Sequence, residues 1–474
     1  MRENVGKVKR KRVKKTQMNK KRSAFSGKIG YVLSAAGASV GLGNIWRFPY
    51  LAAKYGGGIF LLVYIILALT FGYTMIVAES ALGRMTRKSP VGAFRSFAKG
   101  KKVGWLSFGG WINAIIPVLI VPYYSVIGGW VVKYLFEYIR GNGSKLAEDG
   151  YFSGFISSGG ATEICFVIFC MFTLVIIYAG VQNGIERVSK IMMPILIVLS
   201  VIIAIYSVTR PGAIEGVKYF LVPNVKNFSW MTVVAAMGQM FYSLSIAMGI
   251  LVTFGSYMRK DTSIEDSTRN VEIFDTAIAM MAGLMIIPAV FAFSGGDPDT
   301  LQAGPSLMFI TIPKVFANMG FGTAVGILFF VLVLFAAVTS SIALTESAVS
   351  TFEDELGWGR KKATVLTGVI MITLGTLSCL GYGPLDFVKI IGMQFLDFFD
   401  FLTNSVMMPI AALMTSLLVS RVIGVDKIEE EIRHGESTFR RKKIFVVMIK
   451  YLCPIFALII LVSSVANAFG WIAM

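Results

Sequence analysis

Residues 37–49 read Gly-Ala-Ser-Val-Gly-Leu-Gly-Asn-Ile-Trp-Arg-Phe-Pro and lie within an apolar segment long enough to span a bilayer. Three glycines, an asparagine, an arginine and a proline interrupt what would otherwise be one transmembrane helix. In hydrocarbon, a backbone N–H or C=O released from a helix must find a partner, so a break survives only where protein or a water-filled cavity surrounds it. The stretch therefore predicts a binding site at a helix break. The alternative is a break without function, which would cost the protein stability.

Composition and hydropathy are typical of a polytopic membrane protein. The chain has 474 residues, of which 55% are hydrophobic and 15% charged, whereas soluble domains are roughly 45–50% apolar. About eleven apolar runs reach the length of roughly 18 residues that a membrane span needs. The predicted spans, numbered 1 to 11, cover residues 29–54, 57–83, 103–138, 162–181, 187–208, 230–257, 271–294, 323–352, 361–380, 385–420 and 444–471.

The net charge of +18 is concentrated in alternate connections, beginning with a basic arm at residues 1–28. This positive-inside pattern predicts a cytoplasmic amino terminus, and the odd number of spans then places the carboxyl terminus outside. The partner implied is a lipid bilayer rather than a nucleic acid. The arm is either a topology anchor on anionic lipid or a regulatory lipid or partner site. The oligomeric state stays open.

Cysteine and histidine usage excludes several kinds of chemistry. The four cysteines fall within or at the edges of apolar spans and show neither a disulfide framework nor metal-ligand spacing. The one histidine, His434, lies in a cytoplasmic connection. No nucleophile-elbow pattern and no phosphate-cradling loop is present in the sequence. We therefore predict that the protein is not an enzyme.

A second interruption lies in span 6, where residues 239–249 read Gln-Met-Phe-Tyr-Ser-Leu-Ser-Ile-Ala-Met-Gly. Glycine and serine in a single transmembrane helix often serve helix packing, but two breaks five spans apart indicate inverted repeats whose first helices are both discontinuous. We predict a first repeat at residues 29–208, a second at 230–420, and a cytoplasmic loop with span 11 at 421–474. Before span 8, residues 305–318 are amphipathic and predict a re-entrant or surface helix, or else a plain loop.

The interrupted spans resemble a known family. Residues 37–51, followed by Gly56-Gly-Gly-Ile-Phe, are similar to the first-helix signature of the neurotransmitter:sodium symporter family, in particular its bacterial LeuT-type amino-acid transporters. The resemblance runs from residue 22 to the end, and it includes Gly238-Gln239, Thr339-Ser-Ser-Ile-Ala and Phe352-Glu-Asp-Glu-Leu. It implies an all-α, polytopic LeuT-type fold with two inverted five-helix repeats and discontinuous helices 1 and 6. It also implies sodium-coupled symport by alternating access in the inner membrane of a prokaryotic cell.

Two sodium sites follow from the resemblance. A broken helix offers free carbonyls to a hard monovalent cation, although adjacent Thr and Ser in a helix often only bond back to the preceding turn. The resemblance places the first sodium at the carbonyl of Ser39, the side chains of Asn44, Ser243 and Asp275, and the substrate carboxylate. It places the second at the carbonyls of Gly37, Val40 and Ala336 and the hydroxyls of Thr339 and Ser340.

Asp275 is a carboxyl residue within a predicted span, which is a functional-site hypothesis by default. In chloride-dependent members of the family this position is Asn, and a serine four residues on helps to hold chloride; here the pair is Asp275 and Ala279. A fixed negative charge would replace the anion, so the resemblance implies that transport does not need chloride. The alternative is a structural ion pair between Asp275 and a cation of the nearby cytoplasmic loop.

The resemblance also implies an α-amino acid as substrate. Where family members that carry monoamines have an Asp, this chain has Gly41, so the ligand should bring its own carboxylate to the backbone N–H groups of Leu42 and Gly43. Tyr124 would add its hydroxyl. The ammonium group would meet the carbonyls of Ser39, Tyr242 and Ser243 and the hydroxyl of Ser245.

The pocket for the substrate side chain indicates a large apolar group. By resemblance it consists of Ala38, Ile120, Tyr124, Tyr242, Met248, Ser340 and Leu344. Ala38 and the pliable Met248 leave room, and thioether and tyrosine faces suit an aromatic or large aliphatic side chain. We expect a hydrophobic, aromatic L-amino acid; the alternative is a branched aliphatic amino acid or methionine.

Two ion-pair gates are expected by resemblance. The outer pair is Arg47 and Asp400, with Tyr242 as a lid over the ligand and Asp397 as a second acid. The inner pair is Arg22 and Asp354, supported by Ser256 and Tyr257. Each contact is charge-assisted and can form in one state and break in the other.

Two rival functions would use the same residues. In an ion channel, Asn44, Asp275, Thr339 and Ser340 would line a pore, and current would flow without substrate. In a non-transporting amino-acid sensor, the ligand would bind without being moved, and the basic arm would be the output.

Overall fold

The computed structural model describes residues 23–98, 104–294 and 304–471, and the regular secondary structure of these ranges is helical. Nine of the described helices are long and apolar enough to cross a membrane. They correspond to predicted spans 2–5 and 7–11, and they cover Gly58–Thr86, Gly104–Ile139, Gly159–Ala179, Val181–Val208, Ile264–Ser294, Gly322–Leu356, Arg360–Leu380, Phe395–Ile423 and Lys442–Ala468. The all-α polytopic architecture expected from hydropathy is confirmed.

Span 1 is not among the nine because a break divides it. Its helical pieces are Lys28–Ser39, Gly43–Arg47 and Phe48–Lys54. Val40 has an extended backbone, with φ −77° and ψ 92°, so the first piece ends there. The N–H and C=O groups next to the break leave the helical ladder and become available to other partners. The break predicted in span 1 is confirmed.

Close packing explains two of the glycines in this break. A Cβ on Gly41 would lie 2.6 Å from Ser340 Oγ, and a Cβ on Gly43 would lie 2.4 Å from the ring of Tyr242. Real Cβ atoms do not approach other groups this closely. Glycine at both positions therefore lets spans 6 and 8 pack directly on the broken backbone.

Span 6 is divided in the same way, into Trp230–Ser243 and Ile250–Tyr257. Between the two pieces, Ser245 and Ala247 adopt a left-handed backbone, with φ 53° and 60°. Such a conformation costs an L-residue about 1–2 kcal/mol, so the surrounding structure must hold this segment in place. The second predicted break is also confirmed.

The break of span 1 lies at the centre of the helix bundle. Leu42 bonds to Tyr124 of span 3, Asn44 bonds to Ser243 of span 6 and to Asp275 of span 7, and Ala38 accepts from span 8. Four other spans therefore reach this one interruption, and they enclose a cavity between it and the break of span 6.

Several short helices lie in the connections, and hydropathy predicted one of them. Residues 305–318, predicted as a helix or a loop, contain the helix Leu307–Ala317, so the plain-loop alternative is wrong. The Tyr134 hydroxyl of span 3 donates to the Phe309 carbonyl at 2.8 Å and fixes this helix to the bundle. The other short helices are Pro90–Ala98, Gly143–Leu146, Tyr151–Ser157, Ala213–Leu221 and Val425–Arg433.

The largest errors in the predicted boundaries are at the starts of spans 10 and 7. Span 10 was expected from residue 385, but its helix begins at Phe395 after turns in which Ile391 and Gly392 have positive φ. Span 7 begins at Ile264 rather than at 271. Glu265 and Asp266 occupy its first turn, where acidic groups favour the positive end of the helix dipole although they lower hydropathy. The division into repeats at 29–208 and 230–420 stays a prediction.

Candidate functional site

A small cavity lies between the two breaks. The twelve residues predicted to contact substrate all line it, namely Ala38, Ser39, Leu42, Gly43, Ile120, Tyr124, Tyr242, Ser243, Ser245, Met248, Ser340 and Leu344. Asn44, predicted as a sodium ligand, also lines it, together with Gly41 and Ile250, which were not predicted as contacts.

One end of the cavity presents hydrogen-bond donors. The Leu42 N–H group donates to the Tyr124 hydroxyl at 3.3 Å, which places both groups at the break. Gly43 begins the helical piece that continues span 1, so its N–H group belongs to the positive end of a helix dipole. Backbone N–H groups at such an end, next to a phenol hydroxyl, form a suitable site for a carboxylate.

Carbonyl groups of the broken backbone lie at another side of the cavity. The Ala38 carbonyl accepts from the Ser245 hydroxyl at 2.9 Å and from the Ser340 hydroxyl at 3.1 Å. These bonds orient the break so that its carbonyls face the interior of the bundle. Carbonyl oxygens and neutral hydroxyls suit an ammonium group or a bare cation.

The predicted ligands of the first sodium site form a compact network around Asp275. This residue is fully buried in span 7, and its carboxylate accepts from Asn44 Nδ2 at 2.8 Å and from the Ser243 hydroxyl at 2.7 Å. No lysine or arginine of the described residues forms an ion pair with it, so the alternative of a structural ion pair is wrong. A buried carboxylate without a cationic partner is costly, and an oxygen-rich donor set of this kind fits a sodium ion.

Tyr64 of span 2 belongs to the same network and was missed by the sequence analysis. Its hydroxyl donates to Asp275 Oδ2 at 2.6 Å and lies 3.1 Å from Ser243 Oγ. Gln239, quoted only as part of a motif, donates from Nε2 to the Gly43 carbonyl at 3.0 Å. The sequence signal for Tyr64 is a side chain with a polar hydroxyl in an apolar span. A buried Tyr hydroxyl usually needs a hydrogen-bond partner.

The predicted ligands of the second sodium site lie where span 8 meets the first break. The Ser340 hydroxyl is within hydrogen-bond distance of two predicted ligand carbonyls, 3.3 Å from that of Gly37 and 3.4 Å from that of Val40. Thr339 instead bonds back to its own helix, with its hydroxyl 3.0 Å from the Phe335 carbonyl and 3.2 Å from that of Ala336. The carbonyls and hydroxyls gathered here fit a hard monovalent cation.

The outer gate pair is not closed by a direct ion pair. The Arg47 guanidinium lies over the Tyr242 ring, 5.4 Å from its centroid, and so covers the predicted lid. The Asp400 carboxylate accepts from the Tyr123 hydroxyl at 3.1 Å and from Asn404 Nδ2 at 2.6 Å. In the described part of the chain no ion pair joins Arg47 to Asp400, and both neutral donors bond to one carboxylate oxygen, Asp400 Oδ1.

Asp397, the predicted second outer acid, is also hydrogen-bonded to a neutral group. It accepts from the Tyr382 hydroxyl at 3.0 Å. Both predicted outer acids therefore accept hydrogen bonds from hydroxyl or amide donors.

The inner gate includes an ion pair that the sequence analysis did not predict. Asp354 accepts from the Ser89 N–H group at 2.6 Å. The Tyr257 hydroxyl donates to Glu346 Oε1 at 2.7 Å. Glu346 is fully buried and forms an ion pair with Arg360 at 2.5 Å. Spans 6, 8 and 9 are therefore joined on the side opposite to Arg47.

Arg22, the predicted basic partner of Asp354, lies outside the described residues. Close to it in sequence, Phe25 packs edge-on against Tyr257 and Phe254, with ring centroids 6.1 and 5.5 Å apart. The Ser256 hydroxyl donates to the Thr253 carbonyl within its own helix. The start of span 1 is thus sealed against the second piece of span 6 by aromatic side chains.

Comparisons with known proteins agree with this geometry. The sequence profile of the sodium:neurotransmitter symporter family matches residues 22–144 and 151–470. An uncharacterized sodium-dependent transporter, YhdH of Bacillus subtilis, is 36% identical over 416 residues, which are 87% of this chain and 91% of that protein. Another from Haemophilus influenzae is 32% identical over 95% of this chain and 99% of its own length.

A solved structure also resembles the fold closely. The crystal structure of MhsT in complex with L-phenylalanine superposes with a TM-score of 0.83 and 36% sequence identity, and it covers 94% of this chain and 100% of that one.

Proposed function

This chain belongs to the sodium:neurotransmitter symporter family, and we propose that it couples the sodium gradient to the uptake of a hydrophobic, aromatic L-amino acid. It is a multi-pass, sodium-dependent transporter and not an enzyme. The observation that carries the proposal is a cavity at the two breaks whose lining combines the backbone of Leu42 and Gly43, the broken backbone at Ala38 and Ser39, and apolar side chains.

An α-amino acid suits the cavity better than an amine without a carboxylate. Gly41 carries no acidic side chain that could pair with a bare amine, and a Cβ there would lie 2.6 Å from Ser340 Oγ. The ligand would instead bring a carboxylate to Leu42, Gly43 and Tyr124, and its ammonium group would face the carbonyls of the breaks. Both charges of a zwitterion would then find partners within one buried site.

The apolar wall supports an aromatic side chain. Met248 is a flexible thioether that lines the same cavity as Tyr124 and Tyr242, and sulfur and ring edges pack well against aromatic groups. Ile120 and Leu344 on the same wall favour a branched aliphatic amino acid or methionine as the second candidate. MhsT, which has the same fold, was crystallised with L-phenylalanine.

Two sodium ions would be moved with the substrate. One would lie at Asn44, Ser243 and Asp275 next to the substrate carboxylate, and the other at the carbonyls and hydroxyls gathered around Ser340. The uncompensated charge of Asp275 supports transport without chloride, because that carboxylate would supply the negative charge next to sodium. Each elementary charge moved inward gains about 2.3 kcal/mol per 100 mV of membrane potential.

Alternate opening of the two sides would move the ligand. Arg47, Tyr242 and Asp400 would close the outer side, and Asp354 with Tyr257 the inner side. These contacts are hydrogen bonds, ion pairs and ring contacts between different spans, so they can break without unfolding any helix.

A binding screen tests this proposal. Thermal stabilisation of the purified protein would be measured with each of the twenty amino acids, with and without sodium and with and without chloride. We expect stabilisation by Phe, Tyr or Trp in sodium alone. If none of these nor Leu stabilises the protein in sodium, the assignment of the substrate is wrong.

A further inference from the structure

A buried acid in span 2 has no part in the transport mechanism described above. Glu79 is fully buried. Its Oε1 accepts from the Ala247 N–H group at 2.9 Å. Its Oε2 is buried without a hydrogen-bond partner among the described residues. One half of the carboxyl group is thus bonded to the break of span 6, and the other half is unsatisfied.

Within the ranges that the structure describes, no lysine or arginine pairs with Glu79. On its own helix, Arg84 is paired with Glu431 and the Tyr73 hydroxyl bonds to Glu265. The titratable and charged side chains of the elements packed against span 2 have other partners or are solvent-exposed. The paired ones are Tyr31 with Ser80, Tyr257 with Glu346, Asp275 with Asn44, Glu272 with Arg441, Asp266 with Arg440, Arg95 with Glu355, Lys260 with Glu431 and Lys442 with Glu429.

An ionised carboxylate in this place would be expensive. Removing one from water costs several kcal/mol in a protein, and only a cation or several donors can offset that cost. Glu79 has one backbone donor and no cation. A neutral carboxylic acid avoids the cost and keeps the bond from Ala247, because its carbonyl oxygen still accepts.

We propose that Glu79 is a proton-binding site, occupied while the break of span 6 packs against span 2 and emptied when that break opens to water. This inference rests on the proposed function, since it adds a proton to the ions coupled to the transport cycle. Solvent water is the donor on uptake and the acceptor on release, so the carboxylate gains and loses one proton in each cycle.

The location of Glu79 explains how proton binding would reach the substrate. Its partner Ala247 has a strained, left-handed backbone and lies between Ser245 and Met248, which both line the cavity. An ionised Glu79 would attract water and move away from its apolar surroundings. The break of span 6, which Glu79 holds through Ala247, would then be released. Lower pH therefore favours the closed packing, and higher pH favours the opened one.

Infrared spectroscopy of the purified protein in lipid tests this site without a substrate. A protonated carboxyl group in apolar surroundings has a separate carbonyl stretching band, and we expect this band to disappear as the pH rises. Glu79→Gln should abolish it. Glu346→Gln is the matched control, because Glu346 is as deeply buried but forms an ion pair with Arg360, and it should leave the band unchanged. A band that persists in Glu79→Gln would overturn the proposal.

Sodium-dependent binding of phenylalanine supplies the second readout. The affinity of the wild-type protein should change several-fold between about pH 6 and pH 9, well above the range where exposed carboxyl groups titrate, and that of Glu79→Gln should stay flat. Equal pH profiles would contradict the proton site.

A second variant covers the case in which Glu79→Gln does not fold. Glu79→Asp should then shift the infrared band, and an unshifted band would count against Glu79. If no amino acid binds at any pH, the proposed function fails, and the infrared result still decides the proton site.

Discussion

The Asn44 amide of span 1 donates to the Asp275 carboxylate of span 7 at 2.8 Å, inside a bundle where no described lysine or arginine pairs with that acid. The first break is therefore bonded to a buried carboxyl group. This contact joins a residue that lines the cavity to the predicted first sodium site. It also bears on whether transport needs chloride.

Replacing Asp275 tests the source of that charge. We expect Asp275→Ser to lower sodium-driven uptake at least tenfold in chloride-free medium, because losing a hydrogen bond to a charged group costs about 1.5–3 kcal/mol. Added chloride should restore part of the activity by supplying the missing charge. Uptake would be measured in liposomes with gluconate or chloride as the anion. Undiminished uptake without chloride would show that Asp275 is not the surrogate.

Tyr64→Phe removes only a hydroxyl from the same network. Because the Tyr64 hydroxyl donates to Asp275 and lies beside Ser243, its loss should weaken the apparent affinity for sodium about tenfold or more. Tyr134→Phe is the control, since its hydroxyl bonds to a backbone carbonyl in the outer short helix. Sodium titration of binding checks both variants, and an equal sodium dependence in the two would exclude a role for Tyr64.

Ser340 and Ser341 offer a matched pair for the second sodium site. Ser340 faces the carbonyls of the first break, whereas the next residue, Ser341, contacts the Thr173 hydroxyl at 3.2 Å. We expect Ser340→Ala to lose about 1 kcal/mol or more of sodium binding and Ser341→Ala to behave like the wild type. Sodium-dependent thermal stabilisation is the measurement. Similar losses in both variants would point to helix packing rather than to an ion ligand.

Met248→Phe tests the shape of the side-chain pocket. The larger and stiffer ring should fill the space used by an aromatic substrate, and overpacking of this kind costs about 1–3 kcal/mol. Competition binding should therefore show a preference moving from Trp and Phe toward Leu. If the variant binds Trp as tightly as the wild-type protein does, the aromatic side chain of the substrate does not lie beside Met248.

The sequence predicted the parts of the fold that have local causes. Both breaks were found because Gly41, Gly43 and the serines of span 6 are unfavourable in a membrane helix, and hydropathy located the uninterrupted spans. The predicted cavity residues do line one cavity. Their individual roles toward substrate and sodium stay predictions.

Features that depend on pairing between distant spans were not visible in the sequence. Tyr64, Glu79 and Arg360 are ordinary residues in their own segments, and only packing shows that they meet Asp275, the Ala247 backbone and Glu346. The start of span 10 was misplaced because an apolar turn at residues 385–394 has the hydropathy of a helix.

Concentrative uptake by the purified protein in liposomes tests the central claim most directly. With sodium outside, potassium inside and chloride absent, we predict saturable accumulation of phenylalanine, tyrosine or tryptophan that stops when the sodium gradient is collapsed. Sodium current without any amino acid, or amino-acid binding without accumulation inside the liposomes, would contradict a sodium-coupled symporter.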